Sequence, residues 1–120
     1  MQIIDFHTHI YPPEIAEKAT RSTCAYYHLD TPWVGTAETL LSRGRQAGIG
    51  QYVLLPVAMK PAQTRRVNEF VRDQAQAHPE FFAFGALHPE LSDLSGELDF
   101  LLEHGFRGVK LHPDLQGFPL

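Results

Sequence analysis

Apolar residues along this chain alternate between two patterns. Short continuous runs are separated by longer stretches in which apolar positions recur at helical spacing. The first run, residues 2–9, ends at Tyr11-Pro12-Pro13, and Pro13 suits the first turn of a helix over 14–22 that carries Ile15, Ala16 and Ala19. The segment TCAYYHLDTPWVG follows and reads as a long loop, aromatic, polar and broken by a proline. Thr36 is a good N-cap, Glu38 falls in the first turn behind it, and Gly48 is a natural stop. QYVLLPV, residues 51–57, reads as a buried strand. Val67, Phe70, Val71 and Ala75 mark an amphipathic helix that Pro79 ends. A third apolar run covers 81–87. A helix with Leu94, Leu98, Leu101 and Leu102 on one stripe follows, with Ser92 or Asp93 as its cap and Gly105 as its stop. The fourth run is 107–112.

Four strand-then-helix units with strands apolar almost throughout predict an α/β fold built on a parallel sheet covered by helices. Either an open doubly wound sheet or half of a (β/α)8 barrel fits that order. No glycine-rich nucleotide fingerprint follows any strand, which favours the barrel half.

Composition narrows the function. The chain has 120 residues, 43% of them apolar, and a formal charge of −4. That suffices for one small core. The acidic balance, without basic runs, argues against nucleic acid as a partner. With no stretch of membrane-spanning length and no signal-like start, the expectation is a cytoplasmic protein acting on a small molecule. Cys24 is the only cysteine, so neither an internal disulfide nor a thiolate metal cluster forms.

The chemistry collects at the strand ends. Strict alternation along the first strand puts His7 and His9 on one face with Asp5 below them, and Ile4 and Phe6 on the other face towards the helices. On the fourth run, Lys110 and His112 share a face opposite Val109 and Leu111. In a parallel sheet all C-terminal ends share one rim, where ligands bind. His7, His9, His88, Lys110 and His112 therefore gather there. Two neutral imidazoles suit zinc or a similar divalent ion, and Asp5 is placed to orient one of them. An HxH pair by itself is a weak signal; its place at a strand end, two residues after Asp5, strengthens it. His88 reads equally well as a ligand or as a hydrogen-bonding rim residue, and Trp33, Tyr26 and Tyr27 as pocket walls or as loop cover. His78 and His104 fall in last helical turns and read as structural, and His28 reads as a surface residue.

IDFHTHIYPPEI followed by GFRGVKLHPDLQGFPL resembles the amidohydrolase superfamily, within it the amidohydrolase-related branch of metal-dependent hydrolases and decarboxylases. D-x-H-x-H matches at Asp5, His7 and His9, and KLHP at Lys110 to Pro113. The resemblance implies a (β/α)8 barrel of which this chain is the N-terminal half. It implies that His7 and His9 ligate a catalytic divalent metal, expected to be zinc. It makes Lys110 a carboxylated metal bridge, as in some members, or makes Lys110 or His112 a contact for a substrate carboxylate; from their own places in the chain, His88 and Trp33 are the candidate substrate contacts. The intact enzyme would hydrolyse an amide or ester, or decarboxylate an acid. Family members take further ligands and a general base from strands five to eight, so the expectation divides three ways. The chain is half of such an enzyme, a non-catalytic half-barrel closed by a second copy or a separate C-terminal half, or an inactive fragment stopping at Leu120.

Overall fold

A computed structural model describes residues 1–120. In chain order the elements are β1 (Ile3–Thr8), α1 (Pro13–Tyr27), α2 (Ala37–Gln46), β2 (Ile49–Leu54), α3 (Thr64–Ala77, entered through a 3-10 turn at Pro61–Gln63), β3 (Phe81–Ala83), β4 (Gly85–Ala86), α4 (Leu94–Glu103), β5 (Val109–Lys110) and the single turn α5 (Pro113–Gln116). Every strand pairing is parallel: β1 with β2, β2 with β3, and β4 with β5. The α/β class read from the sequence is what the structure shows.

β3 and β4 are two parts of one path that changes partners at Phe84. Before it, the Phe84 N–H bonds the Leu54 carbonyl of β2; beyond it, Gly85 and Leu87 donate to Gly108 and Lys110 beside β5. Asn68 of α3 secures the change. Its side chain is 0% exposed, accepts from the Ala86 N–H at 2.7 Å and donates to the Ala86 carbonyl at 2.9 Å. It also donates to Glu97 of α4 at 2.7 Å, and Glu97 is paired with Arg65 at 2.9 Å. A buried carboxylate is tolerated only with such partners.

The main core lies between the sheet and helices α2 and α3: Ile10, Leu41, Tyr52, Leu54, Val71, Phe81 and Ala83. Tyr52 reaches under α2 because residue 44 is glycine; a Cβ there would overlap the phenol ring. A smaller cluster of Leu87, Phe100 and Leu101 sits under α4.

Three expectations are corrected. α1 continues five residues beyond Ser22, through TCAYY, which contains neither glycine nor proline. Its stop is His28, in the left-handed region at φ 54°, so the loop begins later than the polar composition suggested. Ile4 and Phe6 do not face the helices: Phe6 is 64% exposed on the opposite face, its ring edge-on to Phe84 at 5.8 Å. Asp5 lies opposite Tyr52, on the core side. The cause is a register shift. From Asp5 to Thr8, β1 uses three residue steps against two on β2, where Tyr52 is followed by Leu54 opposite Thr8. A side-chain parity counted back from His9 through such a slip comes out inverted.

Removing Asn68 leaves both Ala86 backbone groups and one Glu97 oxygen buried without partners. Asn68→Ala is therefore expected to lower the unfolding free energy by about 3 kcal/mol. Arg66→Ala, on the exposed side of α3, is expected to stay within about 0.5 kcal/mol; urea melts of the two variants check this.

Candidate metal and substrate site

The same register shift builds the site. It parts His7 and His9 from Asp5; the two imidazoles share one side, with ring centroids 4.9 Å apart and planes at 71°. Thr8 between them points into the core and donates through Oγ1 to the Val53 carbonyl at 2.7 Å. Asp5 does not reach an imidazole, as the sequence reading expected. Its Oδ1 accepts the His7 backbone N–H at 3.1 Å instead. From the core side, that carboxylate holds the slipped backbone in place.

His9 is fixed in one tautomer by the residue that follows β2. Its Nδ1 lies 2.8 Å from the Leu55 carbonyl. A carbonyl only accepts, so Nδ1 carries the proton and Nε2 presents its lone pair. Although the residue is solvent-exposed, the surrounding protein desolvates the ring and pushes its pKa below the usual 6.5. The Leu55 hydrogen bond opposes that shift, and the charges of His7, Lys110 and His112 add to it. Lys110 and His112 are thus near enough for their charge to act on His9. The neutral form favoured here is the one a metal needs.

Lys110, half-buried on β5 opposite Ala86, forms no ion pair. His112 is held at both ring nitrogens. Nδ1 accepts the Leu115 N–H at 3.3 Å as the cap of α5, so Nε2 carries the proton and donates to the Tyr27 hydroxyl at 2.6 Å. Desolvation first, then Tyr26 and Asp114, raise the Tyr27 pKa, which keeps the phenol protonated. His88 is buried at the end of the third strand path, and its Nδ1 accepts the Glu90 N–H at 3.1 Å. Trp33 lies apart from Lys110 and His112, in a cleft that it shares with His9, and Arg43 stacks on its ring at 4.1 Å. His78 and His104 cap α3 and α4, and His104 bonds the Phe100 carbonyl.

Sequence reasoning missed Gln116. Its amide donates to the carbonyls of Ala58 and Leu87, and its Oε1 accepts the His112 N–H, at 2.7–2.9 Å. One side chain thus ties the segments after β2, β4 and β5 to one another. No local signal marks it, because its partners are 29 and 58 residues away.

Two imidazoles with a fixed tautomer fit a divalent ion in part. No group of three histidine, cysteine or carboxylate side chains converges.

Fold and rim together define a parallel α/β unit with its chemistry at the strand ends. No family model matches the chain, and no curated protein does. Solved structures do. One is 2,6-dihydroxybenzoate decarboxylase complexed with 2,6-dihydroxybenzoate, 22% identical with TM-score 0.62, matched over all of this chain and 43% of that one. Another is a dihydroxybenzoic acid decarboxylase from Polaromonas sp. JS666 with bound manganese and 2-nitroresorcinol, 21% identical with TM-score 0.57, matched over 91% of this chain and 38% of that one. Both are named as decarboxylases of dihydroxybenzoic acids. At this identity the likeness is one of fold, and the chain spans less than half the length of either structure.

The lowered His9 pKa gives a pH dependence. As pH falls below about 6.5, the unfolded chain takes up this proton before the folded one does, so folding stability declines until the lowered folded value is reached. Above pH 6.5 this contribution is complete. Urea midpoints of metal-free protein are expected to fall across that acid window, and His9→Gln is expected to flatten the slope.

Proposed function

We propose that the chain supplies the first four βα units of a barrel whose metal-dependent site decarboxylates a carboxylic acid. The observation that carries this reading is the His7–His9 pair at the rim, with His9 Nε2 left free by the Leu55 hydrogen bond. The fold neighbours, one with manganese bound, support a divalent ion; zinc is the ion we assign, as the common choice of nitrogen ligands. When bound, the ion supplies positive charge that stabilises electron density growing on a substrate oxygen.

Lys110, without a carboxylate partner of its own, meets the substrate carboxylate. The bond to the departing CO2 breaks, the electron pair stays on the substrate carbon, and a proton must arrive there. The hydrogen-bonded Tyr27–His112 pair is the donor we assign. His88 and Trp33 bound the substrate on either side. Amide or ester hydrolysis would use the same ligands; the unpaired Lys110 favours an acid substrate.

Equilibrium dialysis against Zn²⁺ and Mn²⁺ tests the site. About one ion per chain is expected in the wild type, with binding weakened at least about tenfold in the His7→Ala/His9→Ala double variant. Equal binding by both proteins would overturn the assignment.

A second reading has its own observation. β1 and β5 each leave one edge unpaired, and the neighbouring apolar residues Ile4, Phe6, Val109 and Leu111 are exposed. Exposed edges of this kind pair with another chain. A second copy, related by a two-fold axis along the strands, would set β5 of each chain parallel to β1 of the other and close eight strands. Light scattering would then give twice the 13.5 kDa chain mass, and Phe6→Glu would return the protein to monomer. A monomeric wild type rules out the second copy.

A further inference from the structure

We infer that the flank of α4 turned away from α3, with one side of β5 as its floor, is a seat for an amphipathic helix whose apolar stripe is bordered by lysine or arginine. The seat rests on the barrel reading proposed above and names the chemistry of the element that lies against the fourth unit; it involves no metal. Arg65 of α3 fixes how α4 is turned: it pairs with Glu97, donates to the Gly96 carbonyl and stacks on Phe100 at 4.2 Å. At about 100° per residue, Leu94, Leu98 and Leu102 then fall in one row on the other flank. All three are exposed. β5 supplies the floor. A Cβ on Gly85, the partner of Val109, would run into Leu101 of α4. Val109 and, two residues on, Leu111 therefore point to the α4 side of the sheet, and both are exposed.

The charges beside the row say what fits it. α4 carries no lysine or arginine. Glu97 is taken by Arg65, and Asp93 caps the helix. Asp99 and Glu103 are exposed and form no ion pair. They border the leucine row on its solvent side, one turn apart. Both placements work against the helix by itself. Like charges at i, i+4 repel, and Glu103 stands in the last turn, at the negative end of the helix dipole. A partner with cations beside its apolar stripe relieves both. The same acids choose between occupants. A second α4 packed antiparallel on this row would set acid against acid, and an anionic lipid surface would be repelled. A helix with basic borders gains from both charges.

Fluorescence anisotropy with the full chain in EDTA tests the seat. The probe is a labelled leucine–lysine peptide of about fourteen residues, with leucines at i, i+3, i+4 and i+7. Its leucine–glutamate counterpart is the control. The wild type is expected to bind the lysine peptide at least about tenfold more tightly than the glutamate peptide, and salt should erode that preference. Leu98→Gln/Leu102→Gln is expected to weaken the lysine peptide at least about tenfold. Leu102 is 76% exposed, so Leu102→Gln alone should weaken it too, without risk to the fold. Asp99→Lys/Glu103→Lys should invert the preference. Glu17→Lys/Asp30→Lys makes the same change in net charge at two other exposed positions and should leave the preference in place. No binding, equal binding of the two peptides, or inversion by the Glu17/Asp30 pair overturns the seat. So does a dimer in light scattering that Leu102→Gln makes monomeric, because a second copy would then fill the row. Metal held at His7 and His9 with no peptide bound refutes the seat alone; peptide bound without metal binding refutes the metal site alone.

Discussion

The structure turns on the second of two register shifts between β1 and β2, the one from Asp5 to Thr8. A parallel ladder without it would keep strict alternation, and His7 and His9 would then share a side with Asp5. The slip separates them. Asp5 goes to the core side beside Tyr52, Thr8 is drawn inward onto the Val53 carbonyl, and both imidazoles emerge together. Slips in a ladder leave a backbone group without its regular partner. Here the Asp5 carboxylate takes the His7 N–H, two residues away. The D-x-H spacing puts the carboxylate of Asp5 within reach of that N–H.

A second constraint holds the rim together at a distance. The third strand path changes partners at Phe84, and a sheet that changes partners has little ladder of its own to resist shear. Asn68 and Glu97 replace that ladder with side-chain hydrogen bonds that tie α3, β4 and α4 into one unit. At the opposite end Gln116 joins the segments after β2, β4 and β5. The two nodes fix the strand ends relative to one another. Lys110 and His112 can then be close to His9 although more than a hundred residues separate them in sequence.

Much of this was legible in the chain. The parallel α/β pattern, the Thr36 and Asp93 caps, which accept from Thr39 and Gly96, and the side-by-side placing of His7 and His9 all follow from local spacing. What was not legible depends on partners far away. The slip is a property of two strands, so parity along β1 alone placed Asp5, Ile4 and Phe6 on the wrong sides. The last five residues of α1 look like loop because they are aromatic and polar, yet nothing in TCAYY breaks a helix. Tyr27 meets His112 across 85 positions, and Asn68 reads as one more polar residue on an amphipathic helix until Ala86 and Glu97 are seen beside it.

The charge at the rim sets the direction of the chemistry. The chain as a whole is acidic, with a formal charge of −4, yet the groups that meet around His9 are two further histidines and a lysine, and each of them disfavours a proton on His9. Asp5, the nearest acid in the strand, is turned to the other face. No third metal-ligating side chain joins the pair. A rim with donors and potential positive charge but without a matching carboxylate is complementary to something anionic. An acid substrate fits that field; so does a carboxylate from a second chain or from the remainder of a barrel. An electrically neutral amide would leave Lys110 half-buried with no counter-charge. The arrangement therefore suits the acid chemistry proposed above.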